Sequence, residues 1–294
     1  MGLSEMLQSP AILLAIKKAQ SIAEIRTIIL TNGTKWFEDH PNETELISNN
    51  MRLFGLSTDD AFISDFIRNT ILHYFEKLLP LFGNVQTLSS FLTSSVDCSD
   101  AVKYLTQIVS EGKGALLAGT HFGAVELIVP ALAHEFIPVT PVLKFKTAQF
   151  SDAARARAKE MAAGGCFKEI NFVEIGAPNT IAAMEMAAVL RRKECLLTMA
   201  DEKTDYSIPV SLFGKEIYGG AGLDRLVKFA RVDLAVVFVA MVRSGECTYR
   251  LHFEPIVNPQ SDLPQKIACA SEKIITQFPS QWYFLHEEIP LVSR

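Results

Sequence analysis

The stretch LLAGTHFGAVELIV, residues 116–129, joins an apolar run to an amphipathic segment. The run that ends at Gly119 predicts a buried β-strand, and the apolar residues after Gly123 predict a helix. A strand followed at once by a helix is the repeating unit of α/β proteins. His121 lies between the two predicted elements, and Glu126 lies in the first turns of the helix. The stretch therefore predicts an α/β fold with a titratable pair at the end of a strand.

The same alternation of short apolar runs and amphipathic segments continues from about residue 100 onwards. Strands are predicted over residues 114–120, 138–145, 166–175, 195–201, 210–214, 234–242 and 249–256. Helices are predicted over residues 123–136, 151–165, 178–194, 222–232 and 262–278. The last two strands are expected to pair across the turn at residues 243–246. The pattern predicts an α/β domain with a mixed sheet flanked by helices.

The first third of the chain has a different pattern. Residues 1–95 carry apolar side chains at three- and four-residue steps, which predicts a helical N-terminal part. Helices are expected over residues 9–30, 44–55 and 57–83. The polar stretch HPNETE, residues 40–45, is expected to form a solvated loop. Because no repeat or linker interrupts the sequence, we expect residues 1–95 and the α/β part, residues 96–294, to form one integrated domain.

Composition excludes several classes of protein. Hydrophobic residues make up 49% and charged residues 21% of the 294, which is typical of a globular chain. The net charge of −5 lacks the basic excess of a nucleic-acid-binding surface. Five scattered cysteines without a CxxC pair argue against a structural zinc site and suit a reducing compartment. Neither a signal-peptide pattern nor a run of about 18 apolar residues is present, so a cytoplasmic location is expected.

His121 is distinguished from the other histidines by its position at the end of a predicted strand, and not by its spacing from an acidic residue. Two of the six histidines have an acidic residue five positions later, and the other pair, His40 and Glu45, lies in the predicted loop. His121 is favoured because loops at the carboxyl ends of strands bind ligands in α/β sheets. Gly119 and Gly123 flank it, and glycines let the chain turn sharply and let a ligand approach the backbone. Free N–H groups at the start of the following helix would attract an anion.

A histidine and a carboxylate in this position suit general-base chemistry. Glu126, one turn into the predicted helix, would reach back to the imidazole of His121 and hold one tautomer. The base would deprotonate a hydroxyl or an amine for attack on a thioester carbonyl. The simpler alternative is a core histidine with satisfied hydrogen bonds and a helix glutamate. The sequence contains no GxSxG elbow, no phosphate-binding GxxxxGK[ST] loop and no GxGxxG after a strand.

Further elements follow His121 in a recognisable order. Residues 196–214, LLTMADEKTDYSIPVSLFG, run from an apolar strand into an acidic segment and a VSLFG element. A small-residue turn, a helix and a strand occupy residues 219–242, and YRLHFEPI and SQWYFLHEE come later. Over roughly residues 100–290 the sequence resembles the lipid A late acyltransferases (lauroyl and myristoyl transferases) and the related phosphatidylinositol mannoside acyltransferases. The resemblance implies a fold like that of glycerol-3-phosphate acyltransferase and an acyltransferase activity.

The resemblance also implies a mechanism. His121 would be the general base and Glu126 its partner in the His-x4-Glu motif, with Gly123 in the turn that substrate approaches. The donor would be an acyl thioester of acyl carrier protein or of coenzyme A, and no metal or bound cofactor would be needed. The acceptor would be a hydroxyl or an amine of a lipid, a glycolipid or a small molecule.

Three further substrate-binding positions are implied by the resemblance. Asp201 and Glu202 fall in the family's acidic segment, and Asp201 is the favoured neighbour of the histidine. Members of the family also use an arginine after the second strand, which Arg157 or Arg155 would match. Read without the resemblance, the acidic pair would be solvated loop carboxylates and the arginines would be helix-surface charges.

The sequence departs from the family in two respects that bear on its partners. We expect it to lack the apolar N-terminal anchor of lipid A enzymes, and basic residues are few. We therefore expect at most peripheral contact with the inner membrane face, or a soluble or carrier-bound acceptor as in secondary-metabolite biosynthesis. The mean hydropathy of +0.19 is attributed to a large core, with an apolar groove or a membrane-facing surface as the alternative. Two other functions stay open: a thioesterase using the same pair, and a non-catalytic module that binds acyl chains or a carrier protein.

Overall fold

The computed structural model describes residues 1–145, 148–176, 179–220, 222–259 and 261–292. The helices that precede the sheet are α1 (Leu3–Leu7), α2 (Pro10–Lys18), α3 (Ile22–Asp39), α4 (Pro41–Leu53), α5 (Asp60–Phe82) and α6 (Val85–Ser95). The long helix α5 is buried over most of its second half, because apolar side chains there cover nearly its whole circumference. α3 packs along α5, and Gly33 allows this close approach because a Cβ there would collide with Ile71.

The strands form a seven-stranded sheet and a separate hairpin in the described part of the chain. They are β1 (Val96–Asp97), β2 (Gly114–Gly123), β3 (Val139–Leu143), β4 (Val173–Glu174), β5 (Cys195–Met199), β6 (Ile208–Leu212), β7 (Lys215–Gly219), β8 (Leu234–Arg243) and β9 (Tyr249–Pro255). The order across the sheet is β1-β9-β8-β2-β5-β3-β4. Within the seven-stranded sheet, neighbouring strands are parallel except β8 and β9, which are antiparallel. The separate hairpin of β6 and β7 is antiparallel. The mixed α/β fold with a helical N-terminal part, predicted from the sequence, is thus confirmed.

Strand β2 lies at the centre of the sheet and brings the site residues to one edge. Leu117 is in register with Leu197 of β5 and with Val237 of β8, and all three are buried. Such a near-continuous apolar run is what a strand covered on both faces requires. Because β5 and β8 run parallel to β2, their carboxyl ends emerge at the same edge of the sheet. Ligands bind at this edge in open α/β folds.

The remaining helices connect and cover the strands. They are α7 (Ser99–Ser110), α8 (Ile128–His134), α9 (Ala148–Ala163), α10 (Asn179–Arg191), α11 (Leu223–Ala230) and α12 (Leu263–Gln277). Single 3₁₀ turns cover Val125–Leu127, Pro279–Gln281 and Tyr283–His286. α7, α10 and α12 pack against β2. Within the described ranges, no helix combines the length and the apolar character needed to cross a bilayer.

Four local predictions were wrong. The helix expected over residues 9–30 is two helices, α2 and α3, which residues 19–21 separate. HPNETE is not a loop, because Pro41 occupies the first position of α4, where a proline's fixed φ and missing N–H suit a helix start. The strand expected over 166–175 is reduced to β4, because exposed Lys168 and Glu169 precede it at the edge of the sheet. The helix expected over 123–136 begins only at Ile128, after a 3₁₀ turn. The division of the domain at residue 95 stays a prediction.

Candidate active site

His121 lies at the carboxyl end of β2, where the strand departs from regular pairing. The register between β2 and β8 shifts between Gly119 and Gly123. Irregularities of this kind re-aim the side chains within them and are common beside active sites. On the other side of β2, the N–H of Ala200 donates to the carbonyl of Gly119 at 2.8 Å. This bond continues the β2–β5 pairing by one residue and brings Asp201 alongside His121.

Asp201 holds His121 by two hydrogen bonds. Its Oδ2 accepts from the backbone N–H of His121 at 2.6 Å, and its Oδ1 lies 2.9 Å from Nδ1 of the ring. A carboxylate accepts hydrogen bonds, so Nδ1 carries the proton and, in the neutral ring, Nε2 has a free lone pair. Glu202 approaches this second nitrogen, with its Oε1 3.6 Å away. The structure therefore brings together three predicted site residues. Asp201 lies 80 positions after His121 in the chain, and Glu202 follows it directly.

The carboxylates change the acidity of the imidazole. Burial acts to lower the pKa of His121, but the charge and hydrogen bond of Asp201, with the charges of Glu202 and Glu126, outweigh it and raise the pKa to about 9. The side chain of Asp201 is only 12% exposed, whereas that of Glu202 is 50% exposed. A change at Glu202 therefore alters the charge near Nε2 without removing the contact that orients the ring.

Glu126 does not make the contact predicted for it. Its carboxylate lies 3.5 Å from Nζ of Lys77 and 3.6 Å from Nε2 of His73, both on α5, rather than against the ring of His121. The reason is local: residue 126 falls in the 3₁₀ turn Val125–Leu127, which packs on α5, and not in an α-helical turn that returns to β2. The expected free N–H groups are also partly used, since that of Ala124 donates to the carbonyl of Met241.

The neighbours of Glu126 include residues that the sequence did not reveal. Burial lowers the pKa of His73 well below its ordinary value, and Nδ1 of its ring has no hydrogen-bond partner among the described residues. The ring of Tyr283 is near both histidines. Its centre lies 4.2 Å from that of His73 and 6.5 Å from that of His121. The charge of Glu126 raises the pKa of Lys77. Only the i, i+4 spacing of residues 73 and 77 on one helix could have suggested this cluster.

Two other predicted site positions have protein partners. Gly123 has a φ of +58°, and a Cβ there would collide with the carbonyl of Met241, so the close packing of β2 on β8 requires glycine. Arg157, on α9, donates from Nε to the carbonyl of Pro80 at 2.7 Å and from Nη2 to that of Gly83 at 2.6 Å. Its guanidinium thus caps the end of α5, and its role in substrate binding stays a prediction. Substrate contact at Gly123 stays a prediction.

An apolar pocket begins next to the His121–Asp201 pair. Thr120 and Asp201 are among the residues that line it. Its walls come from the β6–β7 hairpin, from α12 and from the C-terminal segment, and include Val210, Leu212, Ile217, Ile267, Ala268, Trp282, Phe284 and Ile289. The ring centre of Phe284 lies 5.2 Å from that of His121. A pocket with mostly apolar walls that also reaches Asp201 suits a hydrocarbon chain whose reactive end lies near the histidine.

A mixed α/β sheet, a histidine–carboxylate pair at its carboxyl edge and an adjoining apolar pocket suit an enzyme that acts on acyl chains. The comparison with family models makes this specific: the model for bacterial lipid A biosynthesis acyltransferases matches residues 90–289. The chain therefore belongs to the bacterial lipid A biosynthesis acyltransferase family and is an acyltransferase. A comparison with curated proteins finds no match.

Proposed function

We propose that the protein transfers an acyl chain from a thioester to a hydroxyl or amine, with Nε2 of His121 as the general base and Asp201 as the residue that orients it. The observation that carries this proposal is the contact between Nδ1 of His121 and Asp201, a residue that lines the apolar pocket. The acyl chain would lie in the pocket, which would place the thioester carbonyl beside the imidazole.

The proposed reaction balances without a bound cofactor. Nε2 takes the proton of the acceptor O–H or N–H as the acceptor atom forms its bond to the thioester carbon. The resulting tetrahedral intermediate collapses, the C–S bond breaks, and the imidazolium returns the proton to the leaving thiolate. Asp201 stays ionised throughout and stabilises the imidazolium through its hydrogen bond to Nδ1. The products are the acylated acceptor and the free thiol of the donor.

The thiol carrier of the donor would be acyl carrier protein or coenzyme A. The acceptor would be a lipid, a glycolipid or a small molecule, including a secondary metabolite. For Glu202 we propose a place at the acceptor side, because its half-exposed carboxylate faces Nε2. An amine or hydroxyl donating to this carboxylate would lie next to the base.

We also propose peripheral contact with the inner face of the membrane. The exposed side of α10 carries Ile181 and Met184, and that of α11 carries Phe229, with Val232 just after its end. Lys228 lies exposed on the same helix as Phe229. Apolar side chains with neighbouring cations are typical of surfaces that lie on anionic bilayers.

The experiment is acyl transfer by the wild type and by His121→Ala, with intact-mass analysis of donor and acceptor over a panel of acyl-carrier and acyl-CoA thioesters. We expect the variant to fold and to lose about 10²–10⁴-fold in turnover. Unchanged turnover in a folded variant would rule out His121 as the base. Free fatty acid formed without consumption of acceptor would indicate a thioesterase. Acyl-chain binding without turnover of any thioester would indicate a non-catalytic binding module.

A further inference from the structure

A buried ion pair lies directly behind the turn that follows His121. Arg243, the last residue of β8, donates from Nε to Glu76 Oε1 at 2.6 Å and from Nη2 to Oε2 at 2.5 Å. The side chain of Glu76, on α5, is 0% exposed and that of Arg243 is 6% exposed. The contact is therefore bidentate and removed from solvent.

Such a pair is a poor source of stability. Removing two charges from water costs about as much free energy as their mutual attraction returns, and well-packed apolar residues often replace buried pairs without loss. What the pair holds in place is therefore more informative than its own energy. Nη2 of Arg243 also donates to the carbonyl of Gly123 at 2.9 Å. Gly123 is two residues after His121 and ends the irregular stretch of β2.

The backbone of Arg243 makes a second connection to the site. Its N–H donates to Gln281 Oε1 at 2.9 Å, and Gln281 Nε2 donates to its carbonyl at 2.9 Å. Gln281 immediately precedes the segment Trp282–Phe284, which lines the apolar pocket and lies against His121. Arg243 thus fixes the turn on one side of the imidazole and the C-terminal segment on the other.

We infer that Arg243 and Glu76 are positioning residues for His121: through Gly123 and Gln281 they hold the imidazole in its pose against Asp201. This inference rests on the proposed function, because it gives the buried pair its role in acyl transfer. Displacement of a catalytic group by about 1 Å costs on the order of 10²-fold in rate. Loss of the pair is therefore expected to lower kcat more than it lowers stability or affinity for the donor.

The test replaces the whole pair with apolar residues of similar size, as Glu76→Leu/Arg243→Met. The matched control is Arg192→Met/Glu194→Leu. It removes an exposed bidentate ion pair in which Nε and Nη2 of Arg192 donate to the Glu194 carboxylate at 3.0 and 2.9 Å. Three quantities are measured: the melting temperature, kcat and KM for the thioester donor, and the proton NMR signal of His121 Nδ1–H, assigned by its absence from His121→Ala. The NMR signal needs no turnover, so it reports on the positioning even if wild-type protein shows no acyl transfer.

We expect the Glu76→Leu/Arg243→Met variant to melt within about 5 °C of wild type, to lose at least about 10-fold in kcat with little change in KM, and to show a shifted or broadened Nδ1–H signal. The control should match wild type in kcat and in the NMR signal. Wild-type kcat in the folded double variant, or a lower kcat with an unaltered Nδ1–H signal, would overturn the inference.

A second variant covers failure of the double variant to fold. Arg243→Lys keeps the charge but cannot bind Glu76 through two nitrogens while also reaching the carbonyl of Gly123. It should fold, lose about 10-fold in kcat and show the same change in the Nδ1–H signal. Full activity with an unaltered signal in this variant would equally overturn the inference.

Discussion

The two ring nitrogens of His121 lie in different surroundings, and the chemistry follows from that difference. Nδ1 lies against the nearly buried carboxylate of Asp201, and Nε2 lies 3.6 Å from the half-exposed carboxylate of Glu202. The first contact sets the tautomer, and the second contributes to the raised pKa of the ring. Asp201 thus orients the ring and makes the larger contribution to its raised pKa, and Glu202 adds to that shift.

A pH profile separates these two effects. Only the neutral imidazole accepts a proton, so kcat/KM should rise with pH through the pKa of His121, which is about 9 in the free enzyme. Glu202→Gln removes a negative charge that favours the imidazolium, so the pKa falls and the rising limb should move to lower pH. The measurement is kcat/KM for acyl transfer between pH 6 and 10.

The control for this profile is Glu169→Gln, which removes an exposed carboxylate from the segment before β4. The rising limb of kcat/KM against pH in Glu169→Gln should coincide with that of wild type. If the rising limb of Glu202→Gln stays at the pH of wild type or moves to higher pH, the proposed effect of the Glu202 charge on the pKa of His121 is contradicted.

The residues alone indicated His121 but assigned its carboxylate partner to Glu126, and only the family resemblance favoured Asp201. The reason is physical. His121 could be found because a strand end with flanking glycines is recognisable in one short stretch. Its orienting carboxylate is supplied by a neighbouring strand 80 residues later, and the residue five positions on is turned toward α5 by a 3₁₀ turn. Pairings across a sheet depend on strand order, which periodicity alone does not contain.

At the scale of elements, helix α12 provides one wall of the apolar pocket. Ala268 lines the pocket, and Ala268→Leu would fill part of the space there. We expect this variant to raise KM for long-chain thioesters by about 10-fold, while short-chain donors are transferred as by wild type, because one or two excluded methylenes cost about 1–3 kcal/mol. The measurement is kcat and KM over a series of acyl lengths.

Cys269→Phe is the comparison on the same helix. Cys269 is exposed and is not part of the pocket wall, so a larger side chain there should leave the chain-length profile unchanged. A profile of Ala268→Leu that is identical to wild type would show that the acyl chain does not use this pocket.

Helix α9 is joined to the end of α5 by Arg157, and this contact can be tested by stability. Arg157→Met removes the donors to the carbonyls of Pro80 and Gly83. We expect the free energy of unfolding to fall by about 1–3 kcal/mol with little change in kcat, measured by urea denaturation and by acyl transfer. A large loss of kcat with unchanged stability would instead support a role for Arg157 in substrate binding.

The elements that were predicted well from the sequence are those that are buried on both faces along most of their length. β2 and β8 are buried on both faces and appear as unbroken apolar runs. β4 is a two-residue edge strand whose formation depends on pairing with β3, and nothing local determines it. The start of α4 was placed three residues too late, because polar residues there gave the appearance of a loop, although Pro41 suits the first turn of a helix.

At the scale of the whole molecule, the exposed surface of α10 and α11 is the part that we propose for contact with a bilayer. Although the chain has a net charge of −5, α11 carries Arg225 and Lys228 against a single acidic residue, Asp224. We expect wild-type protein to co-sediment with vesicles rich in anionic phospholipid and much less with neutral vesicles, because each cation near an anionic surface contributes about 1 kcal/mol.

Phe229→Ser tests whether this surface makes the contact. Removing an aromatic side chain that is 44% exposed should weaken vesicle binding at least about 3-fold without lowering the melting temperature. Val257→Ser changes a residue that is 75% exposed outside this surface and should bind like wild type. Equal binding by both variants would place the contact elsewhere, and no binding by wild type would exclude it.

The central claim is that Asp201, and not Glu126, orients the catalytic histidine. It is tested most directly by kcat for acyl transfer in Asp201→Asn and Glu126→Gln, measured beside wild type on the same donor and acceptor. An asparagine at 201 would present the wrong partner to Nδ1, so we predict a loss of about 10³–10⁴-fold, whereas Glu126→Gln should lose at least about 10-fold less. A larger loss in Glu126→Gln than in Asp201→Asn, with both variants folded, would contradict the account.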